Sequence, residues 1–257
     1  MKKLYVIKIG GKLIDDKESL HKFLKQFSLI KEPKILVHGG GKLATEMAGQ
    51  LGINTKMVEG RRVTDKASLE VATMVYAGKI NKEITAKLNS LNCSSIGLSG
   101  ADNNLIQSIK RNPKPIDFGF VGDVNANSVN TKFLQLLLKN KITPVLCAIT
   151  SDKKGQLLNT NADAIASAIS VSMASYFNII QLMCMDKDGV LNNDTVVKEI
   201  NGTSFRQLKN KKVLTDGILP KIETSLLSVK KGVKEVRIGN AMQLKNLING
   251  KSGTVIK

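Results

Sequence analysis

Three glycine-containing segments each follow directly on an apolar run of this sequence: Gly10-Gly11, Gly39-Gly40-Gly41 and Gly100. At the carboxyl end of a parallel strand, glycines let backbone N–H groups approach an anion closely, and a following helix adds favourable partial charge. A single glycine is weak evidence, because turns need glycine in any case. The triple glycine exceeds what a simple turn requires and predicts a contact with a bound anion.

Lys8 is a charged residue inside an apolar run, residues 4–9, just before Gly10. An unpaired ammonium group in a buried strand costs several kcal/mol. Lys8 is therefore either an edge-strand lysine that faces water or a lysine with a phosphate partner, and its place beside the glycine turn favours the phosphate. The sequence contains neither GxGxxG nor GxxxxGK[ST], which excludes the dinucleotide fingerprint and the P-loop.

Two polar segments could recognise a ligand. Residues 159–163 read Asn-Thr-Asn-Ala-Asp before an expected helix, so they cap that helix and also form a dense cluster of amides and a carboxylate. Arg61-Arg62 follows an expected hairpin, where a guanidinium group either grips a carboxylate through two hydrogen bonds or lies on the surface. His38 is interpreted as a core histidine rather than a catalytic base. The sequence shows no Ser/His/Asp arrangement and no metal-ligand cluster.

Alternating strands and helices must position these residues. The expected strands are residues 4–9, 34–38, 95–100, 143–149, 179–185, 233–238 and 254–256. The expected helices are residues 15–30, 42–51, 132–139, 161–176, 204–208, 219–231 and 241–248, and a long helix that Thr64 and Asp65 can cap and that ends near residue 91. A hairpin that turns at Glu59-Gly60 and an antiparallel excursion over residues 105–130 are also expected. This order predicts a mostly parallel sheet covered by helices on both faces, with two lobes that divide near residue 150.

Composition narrows the class of protein. The 257 residues carry 39 Lys+Arg against 21 Asp+Glu, a net charge of +18, and 42% are hydrophobic, which excludes a disordered chain. No apolar run approaches the ~18–20 residues of a membrane span, and the N-terminus lacks the apolar core of a signal peptide. Half of the surplus charge falls in residues 201–257 without interleaved aromatic residues, so we interpret it as solvated surface rather than a nucleic-acid face. Cys93, Cys147 and Cys184 are expected to be buried thiols in a reducing compartment.

Taken together, six segments resemble the amino acid kinase family and, within it, the acetylglutamate kinase branch. In chain order they read Lys-Ile-Gly-Gly-Lys (8–12), Val-His-Gly-Gly-Gly (37–41), Gly-Arg-Arg-Val-Thr (60–64), Leu-Asn-Thr-Asn-Ala-Asp (158–163), Thr-Asp-Gly-Ile-Leu-Pro-Lys (215–221) and Gly-Thr-Val-Ile (253–256). The first two are shared across the family, whereas the Arg-Val-Thr and Asn-x-Asn-Ala-Asp segments are more specific to the branch.

The resemblance implies an α/β fold, an open three-layer αβα sandwich with a mostly parallel central sheet. Residues 1–150 would form an N-terminal lobe for the amino-acid substrate and dimerisation, and residues 151–257 a C-terminal lobe for ATP. The implied reaction is phosphorylation of the γ-carboxylate of N-acetyl-L-glutamate by ATP, a step of arginine biosynthesis. A kinase of a related N-acyl amino acid, such as N-succinyl-glutamate or an aminoadipate derivative, is the alternative.

The resemblance also implies a role for each matching residue, which we state as an expectation. The catalytic set is Lys8, Lys221 and Asp163, the two lysines neutralising charge on the transferring phosphoryl group and the aspartate holding them. Substrate binding falls to four residues, Gly40, Gly41, Arg62 and Asn159. Nucleotide binding falls to another four, Gly10, Gly11, Asp186 and Thr215.

Further expectations concern partners and regulation. ATP is the expected co-substrate, with Mg²⁺ carried mainly by its phosphates and no metal ligands of the protein's own. The expected protein is a cytoplasmic homodimer that binds neither nucleic acid nor membranes. Because the chain starts at its first strand, without the extra N-terminal helix of arginine-inhibited relatives, we expect insensitivity to arginine.

Overall fold

The computed structural model describes residues 1–58, 61–211, 214 and 217–257. The expected turn at Glu59-Gly60 lies outside these residues. Within them, the strands in chain order are β1 (Lys3–Ile9), β2 (Lys34–His38), β3 (Lys56–Val58), β4 (Arg61–Val63), β5 (Ser95–Leu98), β6 (Ile109–Lys110), β7 (Val121–Asp123), β8 (Thr143–Leu146), β9 (Ile149–Ser151), β10 (Leu157–Thr160), β11 (Asn178–Met185), β12 (Leu191–Asn192), β13 (Thr195–Val196), β14 (Glu199–Ile200), β15 (Glu235–Asn240) and β16 (Thr254–Ile256).

The main sheet has the strand order β14-β16-β15-β11-β1-β2-β8-β5. Its pairings are parallel from β15 across to β5, and only the β15–β16 pairing is antiparallel. The central strand β1 is paired with β11 along one edge and with β2 along the other. Its residues Leu4, Val6 and Ile7 have no exposed surface. Burying such side chains stabilises the fold by about 1.5–3 kcal/mol each. The predicted mostly parallel sheet is confirmed.

Ten α-helices occur in the described part of the chain. They are α1 (Gly11–Asp15), α2 (Lys17–Ser28), α3 (Gly41–Gln50), α4 (Lys66–Thr73), α5 (Asn81–Ser90), α6 (Thr131–Lys139), α7 (Ala162–Met173), α8 (Gly202–Asn210), α9 (Leu219–Lys230) and α10 (Leu244–Ile248). On one face of the sheet α2 packs against α5 and α10, and on the other α7 packs against α6 and α9. This is the expected three-layer αβα sandwich.

A smaller, four-stranded sheet of order β6-β7-β10-β9 adjoins the main one. The expected strand over residues 143–149 is in fact β8 followed by β9, and the polar segment after it is the hairpin between the antiparallel strands β9 and β10. Residue 150 lies inside β9, so the expected lobe boundary falls within this sheet. The division into two lobes stays a prediction.

One long helix was expected after the candidate caps Thr64 and Asp65, to about residue 91, and the structure contains three consecutive helical segments there. Asp65 caps α4 by accepting a hydrogen bond from the Ser68 backbone N–H. A π-helical stretch, Met74–Ile80, then leads into α5. A π-helix rotates the side chains that follow relative to a regular α-helix, and such stretches are frequent at functional sites.

Two remaining sequence-based expectations concern burial and membranes. Cys93, Cys147 and Cys184 are free and buried, as predicted. No helix in the described residues is long and apolar enough to cross a membrane.

Candidate active site

Strand β1 lies at the point where the connections of the main sheet diverge, with β2 on one side and β11 on the other. In open α/β sheets, ligands bind beyond the carboxyl ends of the strands at such a switch point. Lys8 is the second-last residue of β1, and Gly10 and Gly11 follow this strand directly. The glycines that end β2 lie beside them, so the segments singled out in the sequence meet at one edge of the sheet.

Two lysines from distant parts of the chain converge on one carboxylate at this edge. Lys8 Nζ lies 2.8 Å from Asp163 Oδ1. Lys221 Nζ donates a hydrogen bond to the other oxygen, Asp163 Oδ2. We call these three residues the Lys8–Asp163–Lys221 cluster; it has one negative and two positive charges, a net charge of +1.

Local sequence explains how two helices present the cluster. The Asn161 side chain caps α7 by accepting hydrogen bonds from the backbone N–H groups of Asp163 and Ala164. Asp163 therefore lies in the first turn of α7, where the helix dipole favours a carboxylate. Lys221 lies in the first turn of α9, just after Pro220, where the dipole disfavours a cation. A nearby anion must offset that cost, and here it is Asp163.

The two lysines control the ionisation of Asp163. Burial by itself raises the pKa of this carboxyl group, but the charges of Lys8 and Lys221 and their hydrogen bonds outweigh it and lower the pKa from 3.8 to about 2. Asp163 is consequently an anion at any physiological pH. Since both oxygens are already paired with ammonium groups, it is suited to holding the lysines rather than to accepting a proton.

Two cavities share the cluster residues in their lining. The Arg62 cavity, of about 680 Å³, is also lined by Gly39, Gly40 and Asn159. The Asp186 cavity, of about 510 Å³, is also lined by Lys12, Met185 and Asn240. The residues that line both cavities are Lys8, Gly10, Gly11, Asp163, Met183 and Lys221. The cluster therefore lies where the two cavities adjoin each other.

The Arg62 cavity is held in shape by polar contacts on its walls. Arg62 Nη2 donates a hydrogen bond to Thr45 Oγ1 at 2.6 Å. Asn159 Nδ2 donates to Thr64 Oγ1 at 3.1 Å, and Thr64 is fully buried. Guanidinium and amide groups facing one cavity match a ligand that carries a carboxylate and a polar amide.

Gly40 lies where a Cβ atom would collide with neighbouring side chains. A Cβ atom built there would stand 2.5 Å from Ile80 Cδ1 and 2.8 Å from Tyr76 Cδ1, both in the π-helical stretch. Burial raises the pKa of Tyr76, although the charge of neighbouring Arg62 opposes the rise. The π-helical stretch thus packs against the glycine turn and the arginine of the same cavity.

The Asp186 cavity carries an exposed ion pair. Lys12 Nζ lies 2.7 Å from Asp186 Oδ2, and this hydrogen bond lowers the pKa of Asp186 despite some burial. A Cβ atom built at Gly10 would stand 3.6 Å from Lys8 Nζ. Gly10, which has no Cβ atom, therefore leaves this side of the Lys8 ammonium group open to an anion.

The structure brings most of the predicted site residues together, in two groups around the cluster. Gly41 is the first residue of α3, directly after Gly40. Thr215 lies outside the described residues. Lys12 and Tyr76 line the cavities but were not predicted as site residues. The position of Lys12 directly after a double glycine was a signal that could have identified it. The sequence gives no such signal for Tyr76, because its helical spacing indicates only a core residue.

Comparison with known proteins supports this picture. The model of the amino acid kinase family matches residues 3–240. An acetylglutamate kinase of Cytophaga hutchinsonii is 47% identical over 254 residues, which cover 97% of this chain and 96% of that protein. An acetylglutamate kinase of Phocaeicola vulgatus is 44% identical, covering 99% and 98%. Among solved structures, smu.665 from Streptococcus mutans UA159 superposes with a TM-score of 0.83 at 26% identity, covering 100% and 99%.

Proposed function

This chain belongs to the amino acid kinase family, and we propose that it phosphorylates the γ-carboxylate of N-acetyl-L-glutamate with ATP. The observation that carries the proposal is the pair of cavities that meet at the Lys8–Asp163–Lys221 cluster. A phosphoryl group passing from one cavity to the other must pass the two ammonium groups. The acetylglutamate kinases to which the chain is similar over nearly its whole length supply the identity of the substrate.

We assign the Arg62 cavity to the acyl amino acid. Arg62 binds its α-carboxylate, Asn159 binds the other end of the substrate, and the backbone N–H groups of Gly40 and Gly41 approach the reacting oxygens. These groups line the cavity or directly adjoin it. The γ-carboxylate then lies near the lysines.

We assign the Asp186 cavity to ATP, with Gly10 and Gly11 beside the phosphates and Asp186 in the nucleotide pocket. The proposal extends to Thr215, which belongs to the same family segment as Lys221. Mg²⁺, when bound, screens negative charge on the phosphates. In the described residues no three His, Cys, Asp or Glu side chains are grouped to hold a metal ion, and Asp163 is paired with lysines. This donor set fits Mg²⁺ that arrives on ATP and keeps phosphate and water ligands.

The reaction then needs no general base. The γ-carboxylate is already ionised at neutral pH, so one of its oxygens attacks the γ-phosphorus of ATP while the bond from that phosphorus to the β,γ-bridging oxygen breaks and ADP leaves. Lys8 and Lys221 neutralise the negative charge on the transferring oxygens. Positioning and charge stabilisation are the main contributions of enzymes to phosphoryl transfer.

Two broader proposals complete the assignment. We propose that the enzyme acts in the cytoplasm and catalyses a step of arginine biosynthesis. Its three cysteines are buried and form no disulfide, as expected for a protein in a reducing compartment. We also propose a homodimer in which residues 1–150 form the contact and bind the amino acid, while residues 151–257 bind ATP. Sedimentation of the purified chain at twice the monomer mass would support the dimer.

A hydroxamate assay tests the proposed function directly, because hydroxylamine traps acyl phosphates. The protein is incubated with ATP and Mg²⁺ and, in separate reactions, N-acetyl-glutamate, N-succinyl-glutamate, N-acetyl-aminoadipate or free glutamate. We expect hydroxamate with N-acetyl-glutamate above the other three. Absence of acyl phosphate from all four substrates contradicts the proposal, and a preference for another N-acyl substrate redirects it.

Changing Arg62 to lysine tests the assignment of the Arg62 cavity. Lysine keeps the charge but loses the planar pair of donors, and hydrogen bonds to charged groups contribute about 1.5–3 kcal/mol. We expect the KM for N-acetyl-glutamate to rise roughly 10- to 100-fold, with the KM for ATP unchanged. Arg206→Lys, on the exposed face of α8, is the matched control and should leave both KM values unchanged. A rise confined to the KM for ATP would contradict the assignment.

A further inference from the structure

His38 is a buried histidine with no part in the mechanism above. It is the last residue of β2, it is completely buried, and burial lowers its pKa from 6.5 to about 4. Its imidazole is therefore neutral at physiological pH, with one ring nitrogen as a donor and the other as an acceptor. Each ring nitrogen has a hydrogen-bonding partner: the Gly39 carbonyl oxygen lies 2.8 Å from Nδ1, and Asn81 Nδ2 lies 3.0 Å from Nε2.

Asn81 determines which ring nitrogen carries the proton. Its Nδ2 also lies 2.9 Å from the Val145 carbonyl oxygen, which can only accept, so the amide nitrogen must face that oxygen. The same Nδ2 group donates to His38 Nε2, which must therefore be the acceptor. The proton of the neutral ring is then on Nδ1, and His38 donates it to the Gly39 carbonyl oxygen.

This hydrogen bond fixes the orientation of a peptide group that lines the Arg62 cavity. The Gly39 carbonyl and the Gly40 N–H belong to one planar trans peptide, so they point in opposite directions. Holding the carbonyl toward the buried ring turns the Gly40 N–H away from the core. Within the described residues, no protein acceptor pairs with that N–H, and both glycines line the cavity.

We propose that His38 is a positioning residue for phosphoryl transfer: as the Nδ1–H tautomer selected by Asn81, it holds the Gly39 carbonyl so that the Gly40 N–H faces the reacting oxygens. This inference rests on the proposed function. Glycine has wide backbone freedom, so the Gly39–Gly40 peptide needs such a restraint to keep its direction. Loss of one oriented donor at a developing charge costs roughly 10²- to 10³-fold in kcat, and imperfect placement somewhat less.

Two conservative variants separate the positioning role from a merely structural one. In His38→Asn, the amide nitrogen can occupy the place of Nδ1 and still donate to Gly39, but the contact with Asn81 is lost. In His38→Gln, the amide reaches the place of Nε2 and keeps Asn81, but the donor to Gly39 is lost. Each variant keeps one of the two contacts, so a structural role alone would affect both similarly.

We expect kcat within about 5-fold of the wild-type value for His38→Asn, and a decrease of roughly 10- to 100-fold for His38→Gln. KM values for both substrates should stay within about 3-fold, because the Gly40 N–H acts mainly in the transition state. Equal kcat values for the two folded variants, with wild-type enzyme active, would overturn the inference. An inactive wild-type enzyme would instead contradict the proposed function.

A measurement on the wild-type protein covers the case in which the variants do not fold. The nitrogen-15 NMR shifts of the His38 ring distinguish the two neutral tautomers and the imidazolium. We expect a neutral ring protonated at Nδ1 from pH 5.5 to pH 8. An Nε2–H tautomer, or titration of the ring within this range, overturns the inference without reference to activity.

Discussion

Alanine in place of Lys8 or Lys221 is expected to lower kcat by roughly 10²-fold or more, the scale for losing a preorganised charge partner of a transition state. Both ammonium groups line both cavities, so a phosphoryl group in transit lies near each of them. The two lysines must neutralise the negative charge on its oxygens, because Asp163, the third residue of the cluster, is itself an anion. Steady-state kinetics with N-acetyl-glutamate and ATP measure the effect.

The matched control for these two variants is Lys22→Ala. Lys22 is also a lysine in an ion pair, with Glu18 one helical turn away in α2, but the pair is exposed and neither residue lines either cavity. Exposed pairs of this kind contribute little to stability. Near-normal kcat in both cluster variants would refute the roles given to Lys8 and Lys221, whereas a loss in Lys22→Ala would point to general destabilisation.

The sequence was informative about the main sheet for a physical reason. A fully buried parallel strand needs apolar residues throughout, so β1, β2 and β11 were recognisable from their composition alone. Short strands at an edge lack that signal. The two-residue strands β12, β13 and β14 bury little surface, and nothing in their sequence distinguishes them from loops.

Glycines and the charged residue in β1 predicted where the site lies, but not how it is arranged. Lys8 was recognisable because a charge in an apolar strand requires a partner. That its partner is Asp163, with Lys221 on the other oxygen, depends on packing between α7 and α9, which no local pattern encodes. The π-helical stretch that brings Tyr76 against Gly40 was equally invisible, because its residues continue an ordinary helical spacing.

Asp163→Asn is expected to separate catalysis from nucleotide binding. Asparagine has nearly the same shape but no charge, so the two lysines lose the anion that holds them and repel each other. We expect kcat to fall by roughly 10- to 100-fold, as for imperfectly placed catalytic groups. The KM for ATP should stay the same or fall, because the net charge of the site rises by one and ATP is a polyanion.

The same substitution should change the acid stability of the fold. The carboxyl pKa is about 2 in the folded protein and 3.8 unfolded, so Asp163 stabilises the fold fully above pH 3.8, and this contribution is lost as the pH falls toward 2. Two pKa units correspond to about 2 to 3 kcal/mol. We therefore expect the difference in unfolding free energy between wild type and Asp163→Asn to shrink by about that amount between pH 5 and pH 2. Denaturant unfolding at several pH values measures it, with Asp117→Asn in an exposed loop as the control. A constant difference across this range would show that the lysines do not hold Asp163 as an anion.

For the kinetics of the same variant, a raised KM for ATP would contradict the prediction, because it would show that the Asp163 carboxylate itself contributes to nucleotide binding.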